Sequence, residues 1–270
     1  MDYDLGLIGA GKMAEAIARA VLAAKLYPAG RIIASDVSPQ RRELFQSELG
    51  IRAVEDNAAV ASAAPTLVLA VKPQQLAAAL AGLGGVMHPD ALLISILAGV
   101  STASIEKHLG QDKPWRVIRA MPNTPMQVGQ GMVALCAGRH ATAGDLSAAR
   151  AIFASSAKVV AVSEDQMDAV TALSGSGPAY FFLLVELMIQ AGVEMGLSPE
   201  HSRLLAIQTA VGAAKMLAST DAAPQDLRQA VTSPGGTTQA AIELMQARGV
   251  PQAIVAAIHR ACQRSRELGT

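Results

Sequence analysis

The 270-residue sequence contains few aromatic residues and no excess of either charge. Aromatic residues make up 3% of the chain and hydrophobic residues 51%, so the core must consist mainly of aliphatic side chains and methionine. Lysine plus arginine and aspartate plus glutamate each number 22, which leaves no basic surplus to attract a nucleic acid or an anionic membrane surface. The composition therefore predicts a globular protein of one large or two modest domains, without nucleic-acid or membrane partners.

Cysteine is also scarce, since Cys136 and Cys262 are the only two in the chain. Two cysteines are too few for a disulfide framework or a cysteine-rich metal site, and they fit a reducing compartment. The N-terminal residues lack the basic segment of a signal peptide, and the longest uncharged runs contain Gly, Pro and Ser, as buried elements do. We therefore expect a cytoplasmic protein with no metal and no membrane span.

A glycine motif follows a short apolar strand pattern at the N-terminus. It reads Gly9-Ala10-Gly11-Lys12-Met13-Ala14 and precedes a helical pattern at residues 15–24. Gly9 permits the tight turn, Gly11 lets the backbone approach a pyrophosphate, and Ala14 is small enough for the helix to pack on the strand. A GxGxxA motif between a strand and a helix predicts a dinucleotide-binding site.

Asp36 lies directly after Ser35, at the end of a second predicted strand. An acidic side chain at this distance from the glycines accepts hydrogen bonds from the adenosine ribose of NAD and repels the 2′-phosphate of NADP. Ser38, Arg41 and Arg42 follow, and they suit a phosphate as well as they suit a solvated helix face. The sequence therefore predicts NADP or NAD as cofactor, with Asp36 favouring NAD.

Three further strand patterns, at residues 66–71, 91–97 and 115–120, continue this alternation of strands and helices. They are followed by Lys72-Pro73, Ala98-Gly99-Val100 and Met121-Pro122-Asn123-Thr124-Pro125. Such alternation predicts an α/β fold with a Rossmann-type, doubly wound parallel sheet, which we assign to residues 1–162. Ligands of such sheets bind beyond the carboxyl ends of the strands, where Lys72, Gly99 and Asn123 are expected.

The chain from residue 163 to residue 270 is predicted to be an all-helical dimerisation and substrate-binding domain. A helical pattern at residues 165–173 is interrupted by Ser174-Gly175-Ser176-Gly177-Pro178 and resumes at residues 179–195. The next helix starts at Ser198 and is apolar nearly all round, so it requires burial on every side. A domain of about a hundred residues cannot bury such helices alone, and we therefore expect at least a homodimer.

A second glycine motif, Ser233-Pro234-Gly235-Gly236-Thr237-Thr238, lies between helical patterns at residues 225–232 and 239–248. Gly235 and Gly236 let the backbone turn sharply and let a ligand approach closely. Thr237 and Thr238 are expected to cap the second helix, whose free N–H groups and dipole suit a carboxylate. Taken alone, the motif is more often an ordinary turn between two helices with a normal cap.

Together these motifs resemble those of the pyrroline-5-carboxylate reductase family, and the resemblance covers essentially the whole chain. It rests on Ile8 to Met13, Ala70-Val71-Lys72-Pro73, Ala98-Gly99-Val100, Arg119 to Pro125, Ser174 to Tyr180 and Ser233 to Thr238, of which the last is the most specific. The resemblance implies that Ile8, Gly9, Ala10, Gly11, Lys12, Met13, Ala70, Val71, Lys72 and Pro73 line the cofactor and that Asn57 lies near the adenosine. Together with residues at the ends of the predicted strands, the predicted cofactor site also includes Ser35, Asp36, Ala98, Gly99, Met121, Pro122 and Asn123.

The same resemblance implies that the substrate carboxylate is held by Ser233, Gly235, Gly236, Thr237 and Thr238, with the Thr238 hydroxyl near the ring nitrogen as the catalytic group. It also implies dimers with interleaved helices, in which this loop of one chain meets the cofactor crevice of the other. One position departs from the family pattern. Where Asp36 stands, the family often has Asn, Ser or Thr, so the usual preference for NADPH is not implied here.

The chemistry of the motif residues agrees with this resemblance. Ketone reduction normally needs a positioned acid, yet the motifs contain no histidine, and Lys72 belongs to the cofactor loop. A cyclic imine arrives already protonated and accepts hydride directly, so orientation and a carboxylate anchor suffice. We therefore predict hydride transfer from NAD(P)H to 1-pyrroline-5-carboxylate, which gives L-proline.

Two alternatives remain open at this point. A β-hydroxyacid dehydrogenase also joins a Rossmann domain to helices, but it places a catalytic lysine soon after a glycine-rich helix start. Here the first lysine after Gly177 is Lys215. The other alternative is a nicotinamide-nucleotide-binding protein without catalytic turnover.

Overall fold

The computed structural model describes residues 2–110 and 113–269, which form an eight-stranded sheet and a set of helices. The strands are β1 (Leu5–Ile8), β2 (Ile32–Ser35), β3 (Arg52–Val54), β4 (Thr66–Leu69), β5 (Leu92–Ser95), β6 (Arg116–Pro122), β7 (Gly131–Ala137) and β8 (Ala157–Ala161).

Thirteen α-helices accompany the strands in the part of the chain that is described. They are α1 (Lys12–Ala23), α2 (Pro39–Leu49), α3 (Asn57–Ala63), α4 (Leu76–Leu80), α5 (Leu83–Val86), α6 (Thr102–Leu109), α7 (Ala143–Phe153), α8 (Met167–Val170), α9 (Gly177–Glu194), α10 (Pro199–Ala218), α11 (Pro224–Ala230), α12 (Thr237–Ala247) and α13 (Val250–Leu268). Short 3-10 helices cover Ala29–Arg31, Pro73–Gln75, Thr124–Val128 and Glu164–Gln166.

The sheet has the strand order β3-β2-β1-β4-β5-β6-β7-β8. Every neighbouring pair is parallel except β6 and β7, which are antiparallel. The predicted doubly wound α/β fold is confirmed, but the prediction omitted β3, β7 and β8. The antiparallel pair arises because only a short 3-10 helix joins β6 to β7, and a parallel return needs a longer crossover.

Both faces of the sheet are covered by apolar side chains. Because alternate strand residues point to opposite faces, Leu5 and Leu7 pack in one cluster with Phe45 of α2. Ile8 and Ile33 pack in a second cluster on the other face. The core is thus largely aliphatic, as the scarcity of aromatic residues predicts.

The helical pattern is interrupted as predicted, but the interruption begins before Ser174. α8 ends at Val170, Thr171–Gly175 forms a π-helical turn in which the Ser176 N–H donates to the Thr171 carbonyl at 2.8 Å, and Ser176 is not helical. α9 then begins at Gly177, and Pro178 lies in its first turn, where a missing N–H is tolerated.

By length and composition alone, the helical stretch Glu164–Glu194 is apolar enough to cross a membrane. In its most apolar 18 residues, 11% are buried inside the protein.

The chain folds as two compact units. The first combines Met1–Ser176 with Ala261–Thr270, and the second is Gly177–Arg260. This division differs from the predicted one between residues 162 and 163. The reason is that Met167 is buried against Ala134 and Cys136 of β7, which attaches the first helical turns to the sheet.

The second unit exposes most of its apolar side chains. Among the described residues of this unit, only Gly177, Gly192, Ser202 and Ala206 are buried. Gly192 marks the crossing of α9 and α10, where an added Cβ would lie 2.8 Å from the Ser202 Oγ. By contrast, Phe181 and Phe182 of α9 are 66% and 67% exposed. The burial that these helices were expected to need is therefore not provided within this unit.

Candidate active site

The turn between β1 and α1 contains two glycines with different roles. Gly9 has φ +94°, and an added Cβ would lie 2.8 Å from the Ala70 carbonyl oxygen, so the backbone itself requires glycine. Gly11 is extended at φ −68° and precedes the first residue of α1, with nothing within 4 Å of an added Cβ. The open space in front of Gly11 therefore lies at a helix N-terminus, where a diphosphate is favoured.

A cavity of about 510 Å³ opens at the carboxyl ends of β1, β2 and β4. Its lining includes eight of the predicted cofactor residues, Gly9, Gly11, Ser35, Asp36, Asn57, Ala70, Val71 and Lys72. Ser38 and Arg41 also line it, together with Val37, Gln75, Ala78 and Ala79, which the prediction omitted. Gln75 could have been inferred, because it ends the short helix that starts directly after Lys72.

Asp36 connects the end of β2 to the glycine turn. Its carboxylate accepts the Ala10 N–H at 2.8 Å and the Ser38 N–H at 2.9 Å. Both carboxylate oxygens thus hold backbone groups, and each oxygen retains a lone pair that a ribose hydroxyl can use. The side chain therefore shapes the turn as well as facing the cavity.

Arg41 is bound to the glycine turn from the other side. Its guanidinium forms an ion pair with Glu15 at 2.8 Å and donates to the carbonyl oxygens of Ala10 and Gly11. Burial raises the pKa of the Glu15 carboxyl, but hydrogen bonds from Arg41 and Arg19 outweigh it and hold the pKa below its usual value. Glu15 is therefore ionised at neutral pH, and Arg41 is more than a solvated helix residue.

Arg42 is similarly engaged by the protein. It donates to the carbonyl oxygens of Asp36 and Val37 and lies 3.4 Å from the Glu55 carboxylate. Its side chain is 20% exposed. Arg42 therefore supports the Asp36 segment, and it does not line the cavity.

Ser35 and Asn57 form a polar pair in the lining of the cavity. The Ser35 hydroxyl donates to the Asn57 Oδ1 at 2.7 Å, and the Asn57 Nδ2 donates to the Ala79 carbonyl at 3.2 Å. Because Asn57 is the first residue of α3, this pair fixes the start of that helix against the end of β2.

The other predicted cofactor residues do not line this cavity. They are Ile8, Ala10, Lys12, Met13, Pro73, Ala98, Gly99, Met121, Pro122 and Asn123. Ile8 and Ala10 are fully buried, and the carbonyl of Ile8 and both backbone groups of Ala10 are hydrogen-bonded within the protein. The Asn123 side chain donates to the Ser174 carbonyl at 3.0 Å and accepts the Met132 N–H at 2.8 Å, which makes it a structural link.

A second cavity, of about 550 Å³, runs along α1 from Lys12 to Ala24 and is also lined by Ser155 and Ser156. Lys12 is its one predicted cofactor residue, so the cavity of about 510 Å³ matches the expected site better.

Over residues 2–110 and 113–269, no group of three or more His, Cys, Asp or Glu side chains is placed to hold a metal. Burial, assisted by Glu164, raises the pKa of the Cys136 thiol to about 11, so this cysteine is not a thiolate nucleophile at neutral pH.

In the second unit, the Ser233–Thr238 loop leads directly into α12. The cap of this helix is Gly236, so the prediction that Thr237 and Thr238 are caps is wrong, and they are its first two residues. Gly235 has φ +71° and donates its N–H to the Gln239 Oε1 at 2.7 Å. An added Cβ on Gly236 would lie 2.5 Å from the Ser233 Oγ.

The glycine cap leaves the start of α12 without a side-chain acceptor. Within the described chain, the N–H groups of Thr237, Thr238 and Gln239 have no hydrogen-bond partner. Three free donors and the helix dipole converge there, and this arrangement favours a bound carboxylate.

Two family models match different parts of the chain. A model described as pyrroline-5-carboxylate reductase dimerisation matches residues 164–268, and one described as NADP oxidoreductase coenzyme F420-dependent matches residues 4–99. The pyrroline-5-carboxylate reductase of Synechocystis sp. is 43% identical over 270 residues, covering 100% of this chain and 99% of that protein.

Two solved structures are similar over the whole chain. A pyrroline-5-carboxylate reductase from Coxiella burnetii has a TM-score of 0.89 and 37% identity, covering 100% of both chains. The pyrroline carboxylate reductase of Plasmodium falciparum, solved with NADP bound, has a TM-score of 0.90 and 29% identity, covering 100% of this chain and 99% of that one. The chain therefore belongs to the pyrroline-5-carboxylate reductase family.

Proposed function

We propose that this protein reduces 1-pyrroline-5-carboxylate to L-proline, the last step of proline biosynthesis, with NADPH or NADH as hydride donor. The observation that carries the proposal is the 43% identity to a pyrroline-5-carboxylate reductase over the full chain. The β-hydroxyacid dehydrogenase alternative is disfavoured because no lysine lies between Gly177 and Lys215. Binding without turnover is disfavoured by an intact Ser233–Thr238 loop with free N–H donors.

The cofactor half of the proposed site lies in the predicted Rossmann domain, residues 1–162. The N-terminus of α1 binds the diphosphate, Asp36 binds the adenosine ribose, and Asn57 lies near the adenine. The fit is supported by the open space at Gly11 and by the cavity of about 510 Å³. When bound, the reduced nicotinamide supplies the hydride for the imine carbon.

The substrate half of the proposed site is the Ser233–Thr238 loop. This loop belongs to the predicted helical domain of residues 163–270, which is proposed to bind the substrate and to form the dimer. The N–H groups at the start of α12 hold the carboxylate, and the Thr238 hydroxyl accepts the N–H of the protonated imine. Because the nitrogen already carries its proton, hydride addition completes the amine, and no strong acid is needed in the site. The protein contributes orientation and an anion site.

We infer that the active form is a homodimer or a larger homo-oligomer with sites shared between chains. The exposed apolar faces of α9 and α10 support this inference, because monomeric proteins rarely expose such large patches. The match of residues 164–268 to a dimerisation model supports it as well. The same interface accounts for the apolar stretch Glu164–Glu194 in a cytoplasmic protein.

A direct assay tests the proposed function. The purified protein is mixed with NADPH or NADH and 1-pyrroline-5-carboxylate, and the absorbance of the reduced cofactor is followed. Rapid oxidation with this imine, and none with a β-keto acid, is expected. Oxidation with the keto acid alone would favour a dehydrogenase, and binding of the cofactor without oxidation would favour a nucleotide-binding protein.

Thr238→Val is expected to lower kcat/KM by about ten- to a hundredfold, which is the value of one hydrogen bond to a charged group. The hydroxyl is half-buried in the first turn of α12, and valine keeps its shape. Thr232→Val is a matched control, since that hydroxyl donates to the Arg228 carbonyl of the preceding helix. Near wild-type turnover by the Thr238 variant would remove Thr238 from the mechanism.

Asp36→Ser is expected to lower KM for NADPH and to raise KM for NADH. Serine removes a negative charge beside the ribose, and Arg41, which lines the same cavity, can then pair with a 2′-phosphate. Asp56→Ser serves as control, because Asp56 caps the neighbouring helix α3 and does not line the cavity. A changed ratio of KM for NADPH to KM for NADH in Asp36→Ser, with an unchanged ratio in Asp56→Ser, would show that Asp36 contacts the ribose. An unchanged ratio in both variants would show that it does not.

A further inference from the structure

The C-terminal end of α13 packs directly on the loop that follows β5. Gly99 in this loop has φ +77°, and an added Cβ would lie 2.7 Å from the Ser265 carbonyl oxygen and 3.1 Å from the Leu268 Cβ. A side chain at position 99 would therefore displace the C-terminal end of the helix. The chain brings these segments together across more than 160 residues, so the contact is purely tertiary.

The Ser265 hydroxyl is hydrogen-bonded to a carboxylate side chain of another helix. Ser265 is 3% exposed, and its hydroxyl donates to the Asp168 Oδ1 of α8 at 2.6 Å. A buried hydroxyl with a charged acceptor forms one of the stronger hydrogen bonds in proteins. Ser265 is thus held in place by α8 while its backbone rests on Gly99.

Asp168 belongs to a charge cluster centred on Arg119 of β6, in which Arg119 is buried and the two carboxylates are partly exposed. Arg119 is 4% exposed, and its guanidinium lies 3.8 Å from the Asp168 carboxylate and 3.7 Å from the Glu164 carboxylate. In the described part of the chain, its Nη2 has no hydrogen-bond partner. Removing either carboxylate would leave a buried cation with less compensation, so the cluster is costly to disrupt.

Glu164 connects the charge cluster to the loop between β5 and α6. Its carboxylate accepts both the N–H and the hydroxyl of Thr102 at 2.7 Å, and Thr102 is the first residue of α6, three positions after Gly99. The loop between β5 and α6 is therefore held at one end by Ser265 and at the other by Glu164. Both attachments converge on Arg119.

We propose that Ser265, Asp168, Arg119 and Glu164 are positioning residues for hydride transfer, which hold the Ala98–Gly99 loop in place through the C-terminal end of α13. The proposal rests on the proposed function and on the sequence-based prediction that Ala98 and Gly99 bind the cofactor, although neither residue lines the cavity of about 510 Å³. β5 pairs with β4, and the residues after β4, Ala70 to Lys72, line the cofactor cavity. None of the four positioning residues lines that cavity, so they act only through the loop.

The test compares Ser265→Ala, Asp168→Ala and Asp168→Asn in the full-length protein. Hydrogen–deuterium exchange of residues 96–103 measures the loop, fluorescence titration without substrate measures Kd for NADPH, and the steady-state assay gives kcat. Ser265→Ala and Asp168→Ala are expected to speed loop exchange and to lower kcat about tenfold, because small displacements of reacting groups cost that much. Kd should change less than about threefold, since none of the four positioning residues lines the cofactor cavity.

Asp168→Asn distinguishes positioning from general stability. Asparagine keeps an oxygen that accepts the Ser265 hydroxyl but removes the charge that faces Arg119, so Tm is expected to fall as in Asp168→Ala, whereas loop exchange and kcat per folded molecule stay within about twofold of wild type. The double variant Ser265→Ala/Asp168→Ala should be no slower than Asp168→Ala, because Asp168→Ala already removes the hydrogen bond that Ser265→Ala removes. Ser147→Ala is the matched control, as this exposed serine only donates to the Ala143 carbonyl within α7.

Several outcomes would overturn the proposal. One is a Ser265→Ala protein with a lower Tm but unchanged loop exchange and unchanged kcat per folded molecule. Another is faster loop exchange with unchanged kcat, since the loop would then not serve the reaction. If Ser265→Ala does not fold, Asp168→Ala gives the same comparison from the α8 side. A wild-type protein inactive with pyrroline-5-carboxylate would reject the proposed function, whereas the exchange data would still decide whether these residues hold the loop.

Discussion

Gly11→Asp is expected to raise Kd for NADPH by more than about a hundredfold while leaving Tm close to wild type. The backbone at Gly11 is extended, and an added Cβ meets nothing within 4 Å, so the folded protein accommodates a side chain there. The aspartate carboxylate would occupy the N-terminus of α1 in place of the diphosphate and repel it. Fluorescence titration with NADPH and a thermal melt measure the two quantities.

Gly30→Asp is the matched control for this experiment. Gly30 is an exposed glycine with nothing within 4 Å of an added Cβ, and it does not line the cofactor cavity. The same change in charge and size should therefore leave Kd unaltered. Gly9 is unsuitable as a control because its positive φ and the nearby Ala70 carbonyl make any side chain strained. Tight NADPH binding by Gly11→Asp would mean that the diphosphate does not lie at the start of α1.

Refolding two inactive variants together is expected to restore about a quarter of wild-type activity. One variant is Gly11→Asp, inactive in the cofactor half, and the other is Thr238→Asp, inactive in the substrate half. If each site combines the cofactor crevice of one chain with the Ser233–Thr238 loop of the other, a mixed dimer has one intact site. Random pairing makes half of the dimers mixed, which gives the expected quarter.

Each variant refolded alone, and wild type taken through the same procedure, provide the reference activities. If both halves of a site come from one chain, every site in the mixture carries a lesion and activity stays at the level of the single variants. The shared-site proposal would then fail, although dimerisation itself would remain open to measurement by sedimentation. The apolar faces of α9 and α10 predict that no stable folded monomer is found.

The sequence alone determined those features whose signals are local. The strand–glycine–helix unit at Gly9, the cap of α10 at Ser198 and the Ser233–Thr238 motif are each written in a few consecutive residues. Their combination sufficed to predict a doubly wound α/β fold and the pyrroline-5-carboxylate reductase family, both of which are confirmed. The departure at Asp36 was also visible, because that position follows the second strand.

The tertiary structure decided what depends on distant residues. β3 is too short to show a clear alternation of apolar and polar residues. β7 and β8 carry no sequence motif, and they are recognised as strands only by their pairing with neighbouring strands. The sequence predicts Asn123 as a cofactor residue, and only the fold shows that its side chain also bonds the Ser174 carbonyl and the Met132 N–H.

The hydrogen bond between Ser265 and Asp168 spans 97 residues, and no local pattern marks either residue. Periodicity and turn chemistry report only on neighbours along the chain, whereas such long-range bonds are set by how whole elements pack. For the same physical reason, the sequence predicted an anion site at α12 but not the glycine cap that leaves its N–H groups free. The cap depends on the backbone angles at Gly236 and on the nearby Ser233 hydroxyl, which only the folded loop brings together.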